Sequence, residues 1–261
     1  MSADWLTLCR AARDDVTAVL AELPGRAERE PVVGAGEGGD DTTAVDRAAE
    51  AAVLRHFDGL GVRIVSEEAG ISGAGPTTVV VDPIDGSLNA KRGIPFFSLS
   101  IAVAEGGTMG DVVFGYVHDF GTGEEWTAAR GEGALLDGRP LTERPKDVLE
   151  ILSFEATTTA FVSENAPRFD GLAHRLRVMG SLAITLCHLA AGRVDGVVSL
   201  KPARSVDIAA AQLLVREQGL AIDLPDAPPF LEAPLDLVGR SRVAAAGSDE
   251  LCAQLAAALR G

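Results

Sequence analysis

The chain has 261 residues, of which 47% are hydrophobic, enough for one large domain or two closely packed halves. Its formal net charge of -15 argues against a general affinity for nucleic acid, which requires a cationic surface. Three scattered cysteines argue against a disulfide framework and predict a reducing, cytoplasmic setting. Charges at Asp4, Arg10 and Arg13 exclude a signal-peptide core there, and no apolar stretch is long enough to cross a bilayer, so no membrane partner is expected.

The first half is predicted to hold two helices and an antiparallel meander. Apolar residues at helical spacing predict a helix over 4–22, and Thr42 or Thr43 can cap a second helix that ends near His56. The glycine-rich stretch 34–43 between them is predicted to be a loop. Strand-like segments punctuated by Gly and Asp turns then follow at 62–70, 77–82, 97–107, 111–119 and 124–141.

From about residue 150 the pattern changes to alternating strands and helices. Strands are predicted at 150–156, 177–181, 194–200 and 241–248. Helices are predicted at 168–176, 181–193, 205–219 and 249–260, the last capped by Ser248. The chain is therefore interpreted as mixed α/β (α+β), with an N-terminal half over 1–150 and a C-terminal half over 151–261 that completes one site.

Acidic side chains stand at the ends of these predicted elements. They are Asp46 on the second helix, Glu68 after a strand, Asp82 and Asp85 after the next strand, and Asp207 at a helix start. Strand ends and helix starts converge on the crevice where α/β folds bind ligands. All-oxygen ligands without His or Cys suit a hard cation such as Mg²⁺.

The turn after the strand 77–82 adds backbone groups to this site. Pro83 and Ile84 expose a carbonyl that can serve as a further ligand. Gly86 and Ser87 offer N–H groups suited to a phosphate oxygen if a short helix starts there.

Each acidic residue also has an ordinary structural interpretation. Asp207 can cap its own helix, Glu67 and Glu68 can form a solvated turn, and Asp46 can be a surface charge. The Asp82–Asp85 pair fits such an interpretation less well, because Gly and Pro shape the loop around both carboxylates. Taken together, the residues favour a metal site.

Three segments in this order resemble the signatures of the inositol monophosphatase family: "SEEAG" (66–70), "DPIDGSLN" (82–89) and "VDIAAAQLLVREQG" (206–219). The resemblance extends over nearly the whole chain. It implies a layered α-β-α-β-α sandwich of the inositol monophosphatase/fructose-1,6-bisphosphatase type, usually a homodimer. It also implies Mg²⁺-dependent hydrolysis of phosphate monoesters, with two or three Mg²⁺ in each site.

The resemblance assigns roles by position. The implied metal ligands are Glu68, Asp82, the Ile84 carbonyl, Asp85 and Asp207. The implied catalytic residues that orient the attacking water are Asp46, Ser87 and Glu68. The implied substrate-binding residues are Gly86, Ser87, Gly180 and Ser181.

Departures from the family pattern bear on the substrate. Val206 replaces the usual tryptophan, and the stretch 201–205 lacks the carboxylate with which animal inositol phosphatases hold inositol hydroxyls. The chain thus looks more like the archaeal-type branch that also hydrolyses fructose 1,6-bisphosphate. In this interpretation one or both of Lys201 and Arg204 meet a second phosphate. Their ordinary alternatives are a solvated lysine and an arginine paired with a surface carboxylate.

The sequence is also compatible with two other functions. One is a phosphatase of the same superfamily acting on 3′-phosphoadenosine 5′-phosphate or histidinol phosphate, although no aromatic platform for adenine lies near the motifs. The other is a metal- or phosphate-binding regulator without activity, against which the intact acidic residues argue.

Overall fold

The computed structural model describes residues 4–37, 41–155, 158–227 and 229–261. Its α-helices are α1 (Trp5–Glu22), α2 (Arg26–Arg29), α3 (Ala44–Leu54), α4 (Ser87–Arg92), α5 (Thr159–Asn165), α6 (Leu182–Ala190), α7 (Ser205–Glu217) and α8 (Asp249–Arg260). Short 3₁₀ turns lie at Met109–Asp111, Ala166–Phe169 and Phe230–Glu232. Within these described ranges, no helix is both long and apolar enough to span a membrane.

The N-terminal half builds a small strand pair and a large sheet. The pair is β1 (Val32–Ala35) with β2 (Asp41–Thr43). The sheet contains β3 (Arg63–Ser66), β4 (Gly70–Gly73), β5 (Thr78–Asp85), β6 (Ser98–Ala104), β7 (Val112–Asp119), β8 (Glu125–Ala129), β9 (Gly133–Leu136) and β10 (Arg139–Pro140). Its order is β10-β9-β8-β7-β6-β5-β3-β4, antiparallel throughout except for the parallel pair β3 and β5. The predicted antiparallel meander is confirmed.

The C-terminal half builds a mixed sheet. Its strands are β11 (Leu149–Glu155), β12 (Ala173–Arg177), β13 (Gly196–Ser199), β14 (Ala221–Asp223) and β15 (Ala244–Ala246). The order is β12-β11-β13-β15-β14, and β11 is parallel to both of its neighbours. The predicted boundary near residue 150 falls beside the start of β11, while one hydrophobic core contains residues of both halves. The division into halves over 1–150 and 151–261 stays a prediction.

The helices form three layers around the two sheets. Every residue of β5 and β6 is buried, which requires a cover on both faces of the large sheet. Helices α1 and α3 cover one face, and α6 and α7 fill the space between the two sheets. Helix α8 packs on the outer face of the second sheet. The predicted layered α-β-α-β-α sandwich is confirmed.

One predicted helix and one predicted strand are wrong. The stretch 168–176, predicted to be a helix, contains the end of a 3₁₀ turn and the start of β12. Gly171 has a φ of 81°, a left-handed conformation that ends a helical turn, and β12 then pairs in parallel with β11. The predicted strand 177–181 overlaps β12 only at Arg177, because residues 178–181 lead into α6.

The predicted loop over 34–43 is also partly wrong. Its ends lie in β1 and β2, where Gly34 pairs with Thr42 and Ala35 with Asp41. Backbone hydrogen bonds stabilise this pair without the apolar alternation that would have indicated strands. Residues 38–40 of the predicted loop lie outside the described residues.

Candidate active site

A bulge at the end of β5 brings two aspartates to one place. Asp82 pairs with Ser100 of β6, and Asp85, three residues later, pairs with Ser98, two residues away. In a regular strand, residues three apart point to opposite faces of the sheet. The extra residue allows both aspartates to approach Asp207. The pKa of each aspartate is raised, first by burial and further by neighbouring carboxylates that include Asp207.

Three carboxylates from separate elements form an acidic cluster. Carboxylate oxygens of Glu67, Asp82 and Asp207 all lie within 4.8 Å of one another. Glu67 follows β3, Asp82 belongs to β5 and Asp207 lies in the first turn of α7. The predicted convergence of strand ends and a helix start therefore occurs for these three residues.

Burial and mutual repulsion make the acidic cluster suited to a cation. Burial, opposed by Arg204 and reinforced by Asp207, raises the pKa of Glu67 to about 7. Burial and neighbouring carboxylates raise the pKa of Asp85 to about 7 and that of Asp82 well above its usual value. Crowded carboxylates stay ionised only when positive charge lies between them, and oxygen-only donors suit Mg²⁺. The residues present fit a divalent cation.

Asp85 is held by the start of α6. The Ser181 hydroxyl donates to Asp85 Oδ2 at 2.6 Å, and the Ala183 amide donates to the same oxygen at 2.7 Å. Ser181, predicted to bind substrate, thus contacts Asp85 and is 1% exposed. The preceding Gly180 amide donates to the buried Glu155 at 2.8 Å, so Glu155 fixes this segment from behind.

The side chain predicted to bind metal after β3 is Glu68, but the acidic cluster contains Glu67 instead. Glu68 accepts a hydrogen bond from the Thr42 hydroxyl. The turn itself is anchored by Glu50, which accepts from the Ser66 hydroxyl at 2.5 Å and from the Glu68 amide at 3.1 Å. Sequence reasoning missed the positioning role of Glu50, although it lies four residues after Asp46 on α3, a spacing that places both on one helix face.

Asp46 and Ser87 do not form a direct pair. Asp46 Oδ2 accepts from the Thr43 hydroxyl at 2.5 Å and lies 4.0 Å from Lys91 Nζ. Its other oxygen is buried and accepts no hydrogen bond within the part of the chain that the structure describes. Ser87 begins α4 after Gly86, whose φ is 93°, so the predicted short helix starts where expected. The water-orienting role of Asp46 and Ser87 stays a prediction.

A cavity of about 360 Å³ opens beside these carboxylates. Its lining residues are Asp85, Gly86, Ser87, Leu88, Thr158, Gly180, Leu182, Lys201, Pro202, Ala203, Arg204, Asp207 and Arg240. Five of the six residues predicted to bind substrate are among them; Ser181 is not. Sequence reasoning missed Arg240, which carries no motif signal and reaches the wall because Ser241 forms an isolated bridge with Ala203.

Arg204 joins this cavity to the acidic cluster. Its Nη2 lies 2.6 Å from Glu67 Oε1 and 3.2 Å from Asp207 Oδ1. Its backbone amide also donates to Asp207 Oδ2 at 2.7 Å, so Asp207 serves the N-terminus of α7 as well as the acidic cluster. The capping alternative for Asp207 therefore holds alongside its place among the three carboxylates.

The family comparison agrees with this geometry. The model of the inositol monophosphatase family matches residues 5–260. The chain belongs to the inositol monophosphatase family. It is a phosphatase, and the family assignment applies to both sheets and to every motif described above.

Individual relatives are similar along most of their length. A fructose-1,6-bisphosphatase/inositol-1-monophosphatase of Methanothermobacter thermautotrophicus is 30% identical over 262 residues, covering 95% of this chain and 93% of the relative. A fructose-1,6-bisphosphatase of Pyrococcus furiosus is 35% identical over 217 residues, covering 82% and 81%. The crystal structure of an inositol monophosphatase-fructose 1,6 bisphosphatase matches with a TM-score of 0.86 and 27% identity, covering 98% of this chain and 100% of that one.

Proposed function

We propose that this phosphatase depends on Mg²⁺ and hydrolyses small sugar or polyol phosphates, fructose 1,6-bisphosphate and inositol 1-phosphate above all. The observation that carries the proposal is the position of the acidic cluster beside a cavity wall containing Lys201, Arg204 and Arg240. An anionic substrate and a cation-binding site can meet there in spite of the chain's net charge. The names of the two relatives described above support both substrates.

We assign the metal to Glu67, Asp82 and Asp207, with Asp85 and the Ile84 carbonyl as further ligands. Glu67 replaces Glu68 in this assignment because its carboxylate lies in the acidic cluster. When bound, Mg²⁺ supplies Lewis-acid charge that neutralises phosphoryl oxygens and acidifies water. Two or three ions in each site remain part of the proposal.

The chain's own groups position the reactants. Gly86 and Ser87 line the cavity at the start of α4, where we assign their backbone amides as donors to a phosphate oxygen. The Ser87 hydroxyl and Asp46 orient the water that attacks phosphorus, and the acceptor left on Asp46 Oδ1 supports this role. Gly180 packs directly against Gly86, and a side chain at Gly86 would clash with it, since a Cβ there would lie 2.9 Å from the Gly180 carbonyl oxygen.

The basic residues of the cavity wall favour a substrate with a second anion. Lys201 and Arg240 are exposed at the cavity. The stretch 201–205 contains no carboxylate that could bind inositol hydroxyls. Guanidinium and ammonium groups bind phosphate strongly. We therefore expect kcat/KM to be higher for fructose 1,6-bisphosphate than for inositol 1-phosphate.

The test is a phosphate-release assay on purified protein, with Mg²⁺ and with EDTA. The substrates are fructose 1,6-bisphosphate, inositol 1-phosphate, 3′-phosphoadenosine 5′-phosphate and histidinol phosphate, and Asp82→Asn is the inactive control. Preference for the nucleotide or for histidinol phosphate would replace the substrate assignment. Absence of hydrolysis on all four, with and without Mg²⁺, would refute the substrate assignment.

Assembly and location complete the proposal. We infer a homodimer from the family resemblance, which sedimentation of the purified protein would test. Three cysteines that are buried and unpaired support a reducing compartment such as the cytoplasm, which cell fractionation would test.

A further inference from the structure

Arg204 is placed to interact with the metal-binding carboxylates themselves. Its guanidinium contacts both Glu67 and Asp207, and its side chain is only 11% exposed. Its backbone is fixed, because Ala203 forms two hydrogen bonds with Ser241, at 2.7 and 3.2 Å, and because the Arg204 amide donates to Asp207 Oδ2 at 2.7 Å. The cation is therefore held beside two members of the acidic cluster.

A divalent metal and this guanidinium make opposing demands on the same carboxylates. An arginine side chain stays protonated at any pH that the protein tolerates, so its charge cannot be relieved by proton loss. Metal binding to Glu67 and Asp207 must either displace the guanidinium or place a second positive charge within a few ångströms of it. Both outcomes weaken metal binding.

We propose that Arg204 is an internal competitor for the divalent cation, stabilising the metal-free acidic cluster and lowering the affinity of the site for metal. This inference rests on the proposed metal site and adds a regulator to it. Arg204 also lines the substrate cavity, so a guanidinium displaced from Glu67 and Asp207 remains within the wall that faces an anionic ligand. Arg204 thereby influences both the metal affinity of the site and the binding of an anionic ligand.

The experiment measures metal binding without substrate. Full-length protein is freed of metal with EDTA and titrated with Mg²⁺ by calorimetry and with Mn²⁺ by electron paramagnetic resonance. Arg204→Gln should bind both ions at least about ten-fold more tightly, the scale of a lost charged hydrogen bond. The matched control is Lys201→Gln, which removes one charge from the same cavity. Lys201 forms no ion pair within the ranges that the structure describes. The metal affinity of the Lys201→Gln protein should therefore change little.

Thermal unfolding gives a second readout. Metal-free Arg204→Gln should melt at a lower temperature than metal-free wild type, and saturating Mg²⁺ should raise its Tm by more. Equal or weaker metal binding by Arg204→Gln would overturn the inference. If that variant does not fold, Arg204→Lys takes its place, because a lysine lacks the planar fork that contacts both carboxylates. Arg204→Lys should bind metal more tightly than wild type, and an affinity no tighter than wild type would overturn the inference. Wild type that binds no metal, or Asp82→Asn that binds it equally well, would instead refute the proposed metal site.

Discussion

Two adjacent glutamates allow a sharp test of the metal-site assignment, because Glu67→Gln and Glu68→Gln remove the same charge from neighbouring positions. Glu67 lies within 4.8 Å of the other two carboxylates of the acidic cluster, whereas Glu68 accepts a hydrogen bond from the Thr42 hydroxyl. The family resemblance read from the sequence assigned the ligand to Glu68. The two variants therefore distinguish between Glu68, the ligand assigned from the sequence, and Glu67, the ligand assigned from the geometry.

The expected difference follows from the roles of the two side chains. Glu67→Gln removes one of the four carboxylates that we assign to the metal. Residues that only support a ligand typically cost 10–100-fold in metal affinity, and loss of a ligand itself should cost more, so we expect about 100-fold or more. Part of this loss is offset, because Arg204 already neutralises some of the Glu67 charge in the wild-type protein. Glu68→Gln keeps an acceptor for Thr42 and loses only a neighbouring charge, so we expect about 10-fold or less.

The assay is the titration of metal-free protein with Mg²⁺ by calorimetry, followed by phosphate release at saturating Mg²⁺. Circular dichroism would verify that both variants are folded. If Glu68→Gln loses more affinity than Glu67→Gln, the geometric assignment is refuted and the ligand is Glu68.

Three further variants test other parts of the structure. Asp82→Asn should lose several orders of magnitude in turnover while remaining folded, and near-normal turnover at ordinary Mg²⁺ would contradict its ligand role. Ser87→Ala should retain metal binding but lower kcat by about 10²–10⁴-fold, and a loss confined to KM would make Ser87 a binding residue. Glu125→Gln should cost about 1–2 kcal/mol of unfolding free energy, because Glu125 accepts from Arg10 Nη2 at 2.7 Å. Burial alone would raise the pKa of Glu125, but the Arg10 hydrogen bond holds it below its usual value, so this stabilisation is present above that value and is lost as pH falls through the folded pKa. Denaturant unfolding at pH 7 and pH 3 should show the difference between wild type and variant shrinking at the lower pH.

Much of the fold follows from local patterns that the amino-acid sequence carries. The apolar run before Asp82 predicts a strand buried on both faces, and β5 is buried along its whole length. Ser248 and the apolar spacing after it predict α8, and the Ser248 hydroxyl does accept from the Leu251 amide at 3.3 Å. The stretch 168–176 shows the limit, since its apolar spacing fits a helix while parallel pairing with β11 makes part of it a strand. That pairing depends on residues some twenty positions away and leaves no local pattern.

The Glu67–Glu68 pair shows the same limit at the active site. The alternation of side chains along a strand predicts which face of the sheet each one points to, but only as far as the strand continues. Strand β3 ends at Ser66, one residue before the pair. Beyond that point the direction of each carboxylate is set by the turn, and the turn is held by Glu50 of α3, which accepts from the Glu68 and Ala69 amides. A contact between residues 18 positions apart thus decides which glutamate faces Asp82. Motif matching can find that a glutamate belongs here, but choosing between adjacent ones requires the packing of a helix against the end of a strand, because a shift of one residue reverses the direction in which the side chain points.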